Sequence, residues 1–327
     1  MYFILSGLIF FSLLPLSLVL VLWYQISYRW KLDSLRGRAV LVTGCDSGFG
    51  KGVAKELSLL GLKVFAGCFT KEGKEALQEE CPSVNCFPLD ITKDDSVENG
   101  KKYVESQLGG KGLWAVINNA GIADNVCPAL WCTASDFQRS LDVNFLGQVR
   151  IINQFLPLIL KGEGRIVQMC SVLSYVGMQG TGTYTASKFA IRGYSEVLRC
   201  EAAQLGIKVI TVSPGYHPTP MINLDKFVDQ GELKRRSLPD YLQKIYTSAW
   251  YEKSKVALRE KIGQMLSSTT SDVVETYVHA VTARFPRSNY FVGHDALGLF
   301  LPLSYLPEQF KAWILPHMAP APEKPKF

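Results

Sequence analysis

From residue 38 onward, apolar positions follow two patterns that alternate along the chain. Short, largely apolar runs occur at 39–42, 63–69, 85–89, 113–117, 165–169, 208–212 and 290–292. Between several of them the apolar positions recur at helical spacing, over 49–60, 133–160 and 184–206. In the last of these, Phe189, Ile191, Tyr194, Val197, Leu198, Ala202 and Leu205 trace one stripe. Strands that are apolar throughout belong in a parallel sheet covered on both faces by helices. The pattern therefore predicts an α/β domain over 37–296, with a doubly wound parallel sheet of about seven strands.

Two stretches break the alternation. Residues 216–268 mix Pro218, Pro220 and Pro239 with amphipathic segments, including a helix expected over 241–265. An insertion at the carboxyl end of a strand is placed to cover a ligand, so this stretch is expected to be a substrate lid. Residues 297–327 are an apolar segment followed by a tail. The segment is interrupted by Pro302 and is too short to span a bilayer; it either dips into a membrane surface or packs on the body. The Pro- and Lys-rich end, 320–327, is expected to be disordered.

The first 24 residues carry no charged side chain. As a helix, 2–24 would be roughly 34 Å long, enough for a bilayer core. A positive n-region and a small-residue cleavage site are both missing, so 1–24 is expected to be a retained transmembrane anchor rather than a signal peptide. The basic linker 25–36 and the two residues after it carry Arg29, Lys31, Arg36 and Arg38, which places the main domain on the cytoplasmic side.

Composition adds exclusions. A net charge of +6 is modest, and no basic stripe is interleaved with aromatics, so nucleic-acid binding is not expected. The eight cysteines show no repeated spacing, and several fall inside predicted strands. Free, buried thiols in a reducing compartment are expected. The four histidines, His217, His279, His294 and His317, have no ligand spacing, so no metal site is expected.

Two motifs carry chemistry. Tyr184 and Lys188 lie four apart on the 184–206 helix, so their side chains stack on one face. A neighbouring cation lowers a phenol's pKa and makes it a usable acid or base at an alcohol or ketone. The second motif is Thr43-Gly44-Cys45-Asp46-Ser47-Gly48-Phe49-Gly50, which joins the first strand to the first helix. Glycines there let the backbone approach a pyrophosphate, and the helix start supplies free N–H groups. No Gly-Lys-Ser/Thr ends the loop, so it is not a Walker loop.

Thr-Gly-x-x-x-Gly-x-Gly, followed in order by Asn118-Asn119-Ala120-Gly121, Asn144, Ser171, Tyr184-x-x-x-Lys188 and Pro214-Gly215, resembles the short-chain dehydrogenase/reductase family across essentially all of 37–296. Together with Gly112-Leu113-Trp114, the glycine loop is similar to the membrane-bound retinol and hydroxysteroid dehydrogenase branch. The resemblance implies a Rossmann-like fold. It implies Tyr184 as acid/base, Lys188 as the residue that lowers its pKa and holds the ribose, Ser171 as the partner of the substrate oxygen, and Asn144 as the holder of a relay water. For the cofactor it implies Thr43, Gly44, Ser47, Gly48, Phe49 and Gly50 around the pyrophosphate, and Asp90 against the adenine. Asn118 would mostly stabilise the end of the fourth strand, with a backbone contact to the ribose; Ala120 and Gly121 would also lie at the cofactor, and Pro214, Gly215 and Thr219 at the nicotinamide. His217, inside that last stretch, reads as a solvent-facing loop residue. A homodimer through the helices bearing Asn144 and Tyr184 is implied in the same way.

The cofactor is expected to be NAD, with NADP left open. The second strand ends in Cys68-Phe69-Thr70-Lys71, without the acid that commonly meets a ribose 2′-hydroxyl, and Lys71 could meet a 2′-phosphate. Ser47, however, is not basic. The function expected is hydride transfer between this cofactor and the hydroxyl or carbonyl of a lipophilic substrate, a steroid or retinoid, at a membrane of the endoplasmic reticulum. A small hydroxy-acid dehydrogenase of the hydroxybutyrate type is the second reading, for which Lys234-Arg235-Arg236 would bind the acid. A non-catalytic membrane scaffold with the same fold is the third.

Overall fold

The computed structural model describes residues 34–323 without a break, together with Leu22, Trp23, Ile26 and residues 30–32. The expected anchor over 1–24 and most of the linker after it lie outside the described residues. Seven strands, β1 (Ala39–Thr43), β2 (Lys63–Cys68), β3 (Asn85–Pro88), β4 (Leu113–Asn118), β5 (Arg165–Met169), β6 (Lys208–Pro214) and β7 (Asn289–Val292), form one sheet in the order β3-β2-β1-β4-β5-β6-β7. Each neighbouring pair is parallel. The strand order reverses between β1 and β4, and in such sheets a ligand crevice opens at the carboxyl ends there.

Both faces of the sheet are covered, which is why its strands lack polar alternation. Along β1, Val40 and Val42 pack into one core with helices α1 (Gly48–Leu59), α2 (Lys71–Glu80) and α10 (Ser271–Thr282). Ala39 and Leu41 face the opposite core with α3 (Asp94–Leu108), α5 (Gly147–Lys161) and α6 (Gly182–Ala203). Helix α4 (Ala134–Leu141) continues through a π turn, Asp142–Leu146, into α5. This continuous run, Ala134–Lys161, is long and apolar enough to cross a membrane, yet Ile151, Ile152, Phe155 and Ile159 are spent on the sheet. Not all of the expected stripe on α6 is core: Phe189, Val197 and Leu205 are exposed, while Ile191 and Ala202 are buried.

Residues 216–268 contain α7 (Leu224–Arg236), α8 (Asp240–Ile245) and α9 (Ser248–Met265). The single helix expected over 241–265 is broken because Thr247 takes an extended backbone and caps α9, its side chain accepting the Trp250 N–H at 3.2 Å. The break lets Tyr246, Trp250 and Tyr251 converge on Trp131, with ring centroids 5.2–6.2 Å from it. The C-terminal segment packs on the body. Ala296 and Phe300, just before the short helix α11 (Leu301–Ser304), and Leu303 within it bury against Val172, Leu173 and Val176. The chain then runs through α12 (Glu308–Ile314) back to the lid. Its expected disorder is not seen over 320–323: Trp250 Nε1 donates to the Pro320 carbonyl at 3.1 Å, and the Glu323 N–H to the Ile245 carbonyl at 3.1 Å.

Candidate active site

A cleft of about 1710 Å³ opens at the carboxyl ends of β1, β4, β5 and β6. Its deep end is built by β5 and α6. Ser171 follows β5, and its Oγ accepts the Leu173 N–H at 3.1 Å, which fixes the hydroxyl at the strand end. Tyr184 and Lys188 come from the first turns of α6, one turn apart, with Lys188 Nζ 5.4 Å from the Tyr184 ring centroid. The buried Lys188 ammonium donates to the Met169 carbonyl at 3.0 Å.

Asn144 stands behind these groups at the π turn, fully buried. Its amide donates to the Ile122 carbonyl at 2.9 Å and Ser187 Oγ at 2.9 Å, and its oxygen accepts the Ile122 N–H at 2.8 Å. Ser187 in turn donates to the Tyr184 carbonyl at 2.7 Å. The π turn adds one residue to the helical repeat and so aims this amide inward. Gly121 leaves the space between Asn144 and Lys188 open: a Cβ there would stand 3.1 Å from Asn144 Oδ1 and 3.7 Å from Lys188 Nζ.

The electrostatics differ from the simple expectation that Lys188 lowers the phenol's pKa. Burial pushes Tyr184 up to about 12, and the Ser171 hydroxyl beside it acts in the opposite direction. Burial pushes Lys188 down to about 8. Desolvation penalises the charged form of each and is the largest cause of both shifts. A stability consequence follows. The Lys188 contribution is present above the unfolded lysine value near 10.5 and is lost as pH falls through about 8. Lys188→Met is therefore expected to raise the melting temperature at neutral pH, by up to about 3 kcal/mol of stability, with the gain fading toward about pH 10. Thermal melts across that range check it; a variant less stable at pH 7 would contradict it.

The other end of the cleft is the glycine loop. Gly44 and Gly48 take left-handed backbone, at φ 69° and 56°. A Cβ at Gly44 would fall 2.7 Å from the Ala120 Cα, and one at Gly50 would fall 2.2 Å from the Gly44 carbonyl oxygen. Ser47 begins α1 without a side-chain cap and with no acid in the first turn, so the N–H groups of that turn remain available to an anion. A tight backbone cradle at an uncapped helix start fits a dinucleotide pyrophosphate.

Of the residues expected at a cofactor, Gly44, Ser47, Gly48, Phe49, Asp90, Ala120, Gly121, Tyr184, Lys188, Pro214, Gly215 and Thr219 line the cleft. Thr43, Gly50 and Asn118 stand behind its wall instead. Thr43 Oγ1 accepts the Asn119 and Ala120 N–H groups, both at 3.1 Å, and Asn118 is buried with its amide on Gln168 Oε1 at 2.7 Å. Asn119, which was not expected, ties the loop by donating to the Thr43 and Gly44 carbonyls at 3.1 and 3.0 Å. The doublet Asn118-Asn119 signals a strand end but not which amide turns outward. Asp46 was missed too: its carboxylate accepts from the Phe69 N–H at 2.9 Å and from the Thr70 N–H and hydroxyl, both at 2.7 Å, and so occupies the end of β2. His217 is buried, not solvent-facing.

A model of the family described as short chain dehydrogenase matches residues 38–226. Bovine (Bos taurus) 17-beta-hydroxysteroid dehydrogenase type 6 is 33% identical over 314 residues, covering 94% of this chain and 98% of its own. Mouse (Mus musculus) retinol dehydrogenase 5 is 36% identical over 313 residues, with 94% and 98% covered. Human (Homo sapiens) retinol dehydrogenase 16 is 36% identical over 308 residues, with 92% and 94% covered. Among solved structures, a short-chain dehydrogenase from Streptomyces avermitilis superposes with a TM-score of 0.68 at 22% identity, covering 86% of this chain and 97% of that one. One from Burkholderia cenocepacia, in complex with NADP, gives 0.64 at 22% identity, with 86% and 99% covered. These last two share the fold. With a parallel sheet of this order, a glycine-loop cradle and relatives aligned over nearly their whole length, the chain belongs to the short-chain dehydrogenase family and is a nicotinamide-dependent oxidoreductase.

Proposed function

We propose that this chain transfers a hydride between NAD and the hydroxyl or carbonyl of a lipophilic alcohol or ketone, a steroid or retinoid, with Tyr184 as the acid/base. The observation that carries the reading is the convergence of Tyr184, Ser171 and Lys188 at the inner end of a cleft whose outer part is walled by the lid and the C-terminal segment. Tyr246, Trp250, Leu258, Ile262, Met265 and Leu315 supply an apolar lining there. A bound nicotinamide would supply or accept the hydride. Ser171 would hold the substrate oxygen, and Tyr184 would give it a proton in reduction or take one in oxidation. Lys188, when charged, would favour the phenolate and hold the ribose, while Asn144 Oδ1 faces the space beside it where a relay water would sit. Because burial holds Tyr184 protonated, oxidation should rise with pH and reduction should fall.

For NAD over NADP, the supporting feature is Asp46. It lines the cleft beside Phe69 and Thr70, where a 2′-phosphate would meet its charge, whereas Lys71 does not line the cleft and faces Glu75 at 3.8 Å in solvent. Asp46→Asn is expected to shift the ratio of kcat/KM for NAD and NADP about tenfold toward NADP. An unchanged ratio would remove Asp46 from cofactor choice.

The uncharged residues 1–24 support a membrane anchor, and the basic residues after them a cytoplasmic catalytic domain at the endoplasmic reticulum. Exposed Phe189 and Val197 on α6 suit a homodimer face. The run Lys234-Arg235-Arg236 is spent on Asp136 of α4 and Glu232 of the lid, and does not favour a small acid. Lys226, Lys255 and Lys261 do line the cleft from the lid, so the substrate panel should include one. The test is nicotinamide absorbance with all-trans-retinol, a 3-hydroxysteroid, a 17-hydroxysteroid and 3-hydroxybutyrate, each with NAD and NADP. Turnover of 3-hydroxybutyrate alone would overturn the lipophilic reading. Dinucleotide binding without turnover of any alcohol would favour a scaffold.

A further inference from the structure

His217 lies in the stretch 214–219 that leaves β6 for the lid, and its side chain is fully enclosed. Three contacts hold the ring. Nε2 is 3.1 Å from Asp272 Oδ2 in the first turn of α10. Nδ1 is 3.2 Å from the Gly215 carbonyl. The ring meets Phe49 edge-on, with centroids 5.7 Å apart, and Phe49 stands in the first turn of α1 beside the glycine loop. The same stretch is braced from the far side by Asp295, which is buried and accepts the Tyr216 N–H at 2.9 Å. Gly215 fits this brace closely: a Cβ there would fall 2.0 Å from Asp295 Oδ1. Gly215, Tyr216, His217 and Thr219 line the cleft, whereas Asp272 and Asp295 stand behind it.

A carbonyl and a carboxylate both accept hydrogen bonds, so the ring links the Gly215 backbone to Asp272 on α10. The charged groups facing the ring are carboxylates, Asp272 from α10 and Asp295 from the turn after β7, while Phe49 from α1 is neutral.

We propose that His217 is a positioning residue for the nicotinamide end of the cofactor site. It pins the stretch 214–219 to α10 and, across Phe49, to the glycine loop, so that the two walls of the dinucleotide site are held at a fixed separation. This rests on the reading of the cleft as a nicotinamide dinucleotide site. The effect falls on cofactor affinity rather than on proton transfer, because His217 acts through the backbone of Gly215.

The test is NADH binding by fluorescence titration on the full chain in detergent. Wild type, His217→Gln, His217→Phe and Asp272→Asn are compared, with steady-state kinetics beside them. His217→Phe should bind about tenfold more weakly, while kcat at saturating NAD moves less than about threefold. Asp272→Asn, which leaves the ring in place, should weaken binding in the same direction by a smaller factor and keeps the test decisive if the His217 variants fold poorly. A His217→Phe Kd equal to wild type, or a fall in kcat with KM unchanged, would overturn the proposal. Absence of NADH and NADPH binding by the wild type would instead sink the dinucleotide reading of the cleft, and this inference with it.

Discussion

Tyr184→Phe is expected to lower turnover of any alcohol or ketone substrate by at least about a hundredfold, and up to about 10⁴-fold, while NADH binding stays within about twofold. The phenol is the group in the cleft placed to exchange a proton with a substrate oxygen: it stands on α6 with the Ser171 hydroxyl beside it and Lys188 one turn on. The substitution removes one oxygen and leaves the ring that packs with Val172, Leu173 and Tyr216. Fold and cofactor cradle should therefore survive, and the loss should appear in kcat. The measurement is a single-turnover experiment with NADH binding determined on the same sample. Retained turnover would show that the proton comes from elsewhere, and the proposed mechanism would fail. Ser171→Ala serves as the companion variant, with a smaller loss, because in the proposed mechanism its hydroxyl would stabilise charge on the oxygen and not itself take the proton.

Gly50→Ala is expected to raise the Kd for NADH by at least about a hundredfold and to lower the melting temperature by several degrees. The methyl group would fall 2.2 Å from the Gly44 carbonyl oxygen and 2.5 Å from Asn119 Nδ2, the amide that ties the loop to β4. The first is backbone and the second is a side-chain amide held by two hydrogen bonds to the loop, so the loop itself must move. That displaces the N–H groups at the start of α1, which bind an anion only where the backbone comes close. Gly48→Ala gives the contrast. Its Cβ meets Thr219 at 3.5 Å, an ordinary contact, and its strain comes from a φ of 56° alone. It should cost about 1 kcal/mol, with a much smaller loss of affinity. Equal effects of the two substitutions would mean that steric fit in the loop does not control binding. Both are read by calorimetric titration and thermal melts.

The fold was largely legible because a parallel sheet buried on both faces leaves a simple trace, short apolar runs with few polar interruptions. Val40 and Leu41 point to opposite cores, yet both must be apolar, so the run survives in the sequence. The helices over 49–60, 133–160 and 184–206 were equally plain, whereas α3 and α10, which also bury one face, were not read from the sequence. Helix α2 left no signal either, since Leu77 is its one buried residue and a single position has no period. The broken lid helix escaped for a related reason: the extended backbone at Thr247 is stabilised by a cap and by aromatic packing on Trp131, and that ring comes from a distant segment.

At the site, the chain itself determined everything that depends on spacing along one element. Tyr184 and Lys188 share a helix face because they are four apart, and the glycine loop is a cradle because glycines tolerate φ near 60°. Only the tertiary structure decided what depends on juxtaposition and burial. It raised Tyr184 and lowered Lys188 by desolvation, where spacing alone predicts attraction between them. It brought Asp46 across to the end of β2 and enclosed His217 between α10 and the 214–219 stretch, over separations of 24 and 55 residues. The C-terminal segment, ambiguous as a string of apolar residues, became a wall of the cleft because Phe300 and Leu303 found partners at Val172 and Val176. Local periodicity is written in neighbouring residues, whereas desolvation and distant hydrogen bonds exist only after the chain has closed on itself.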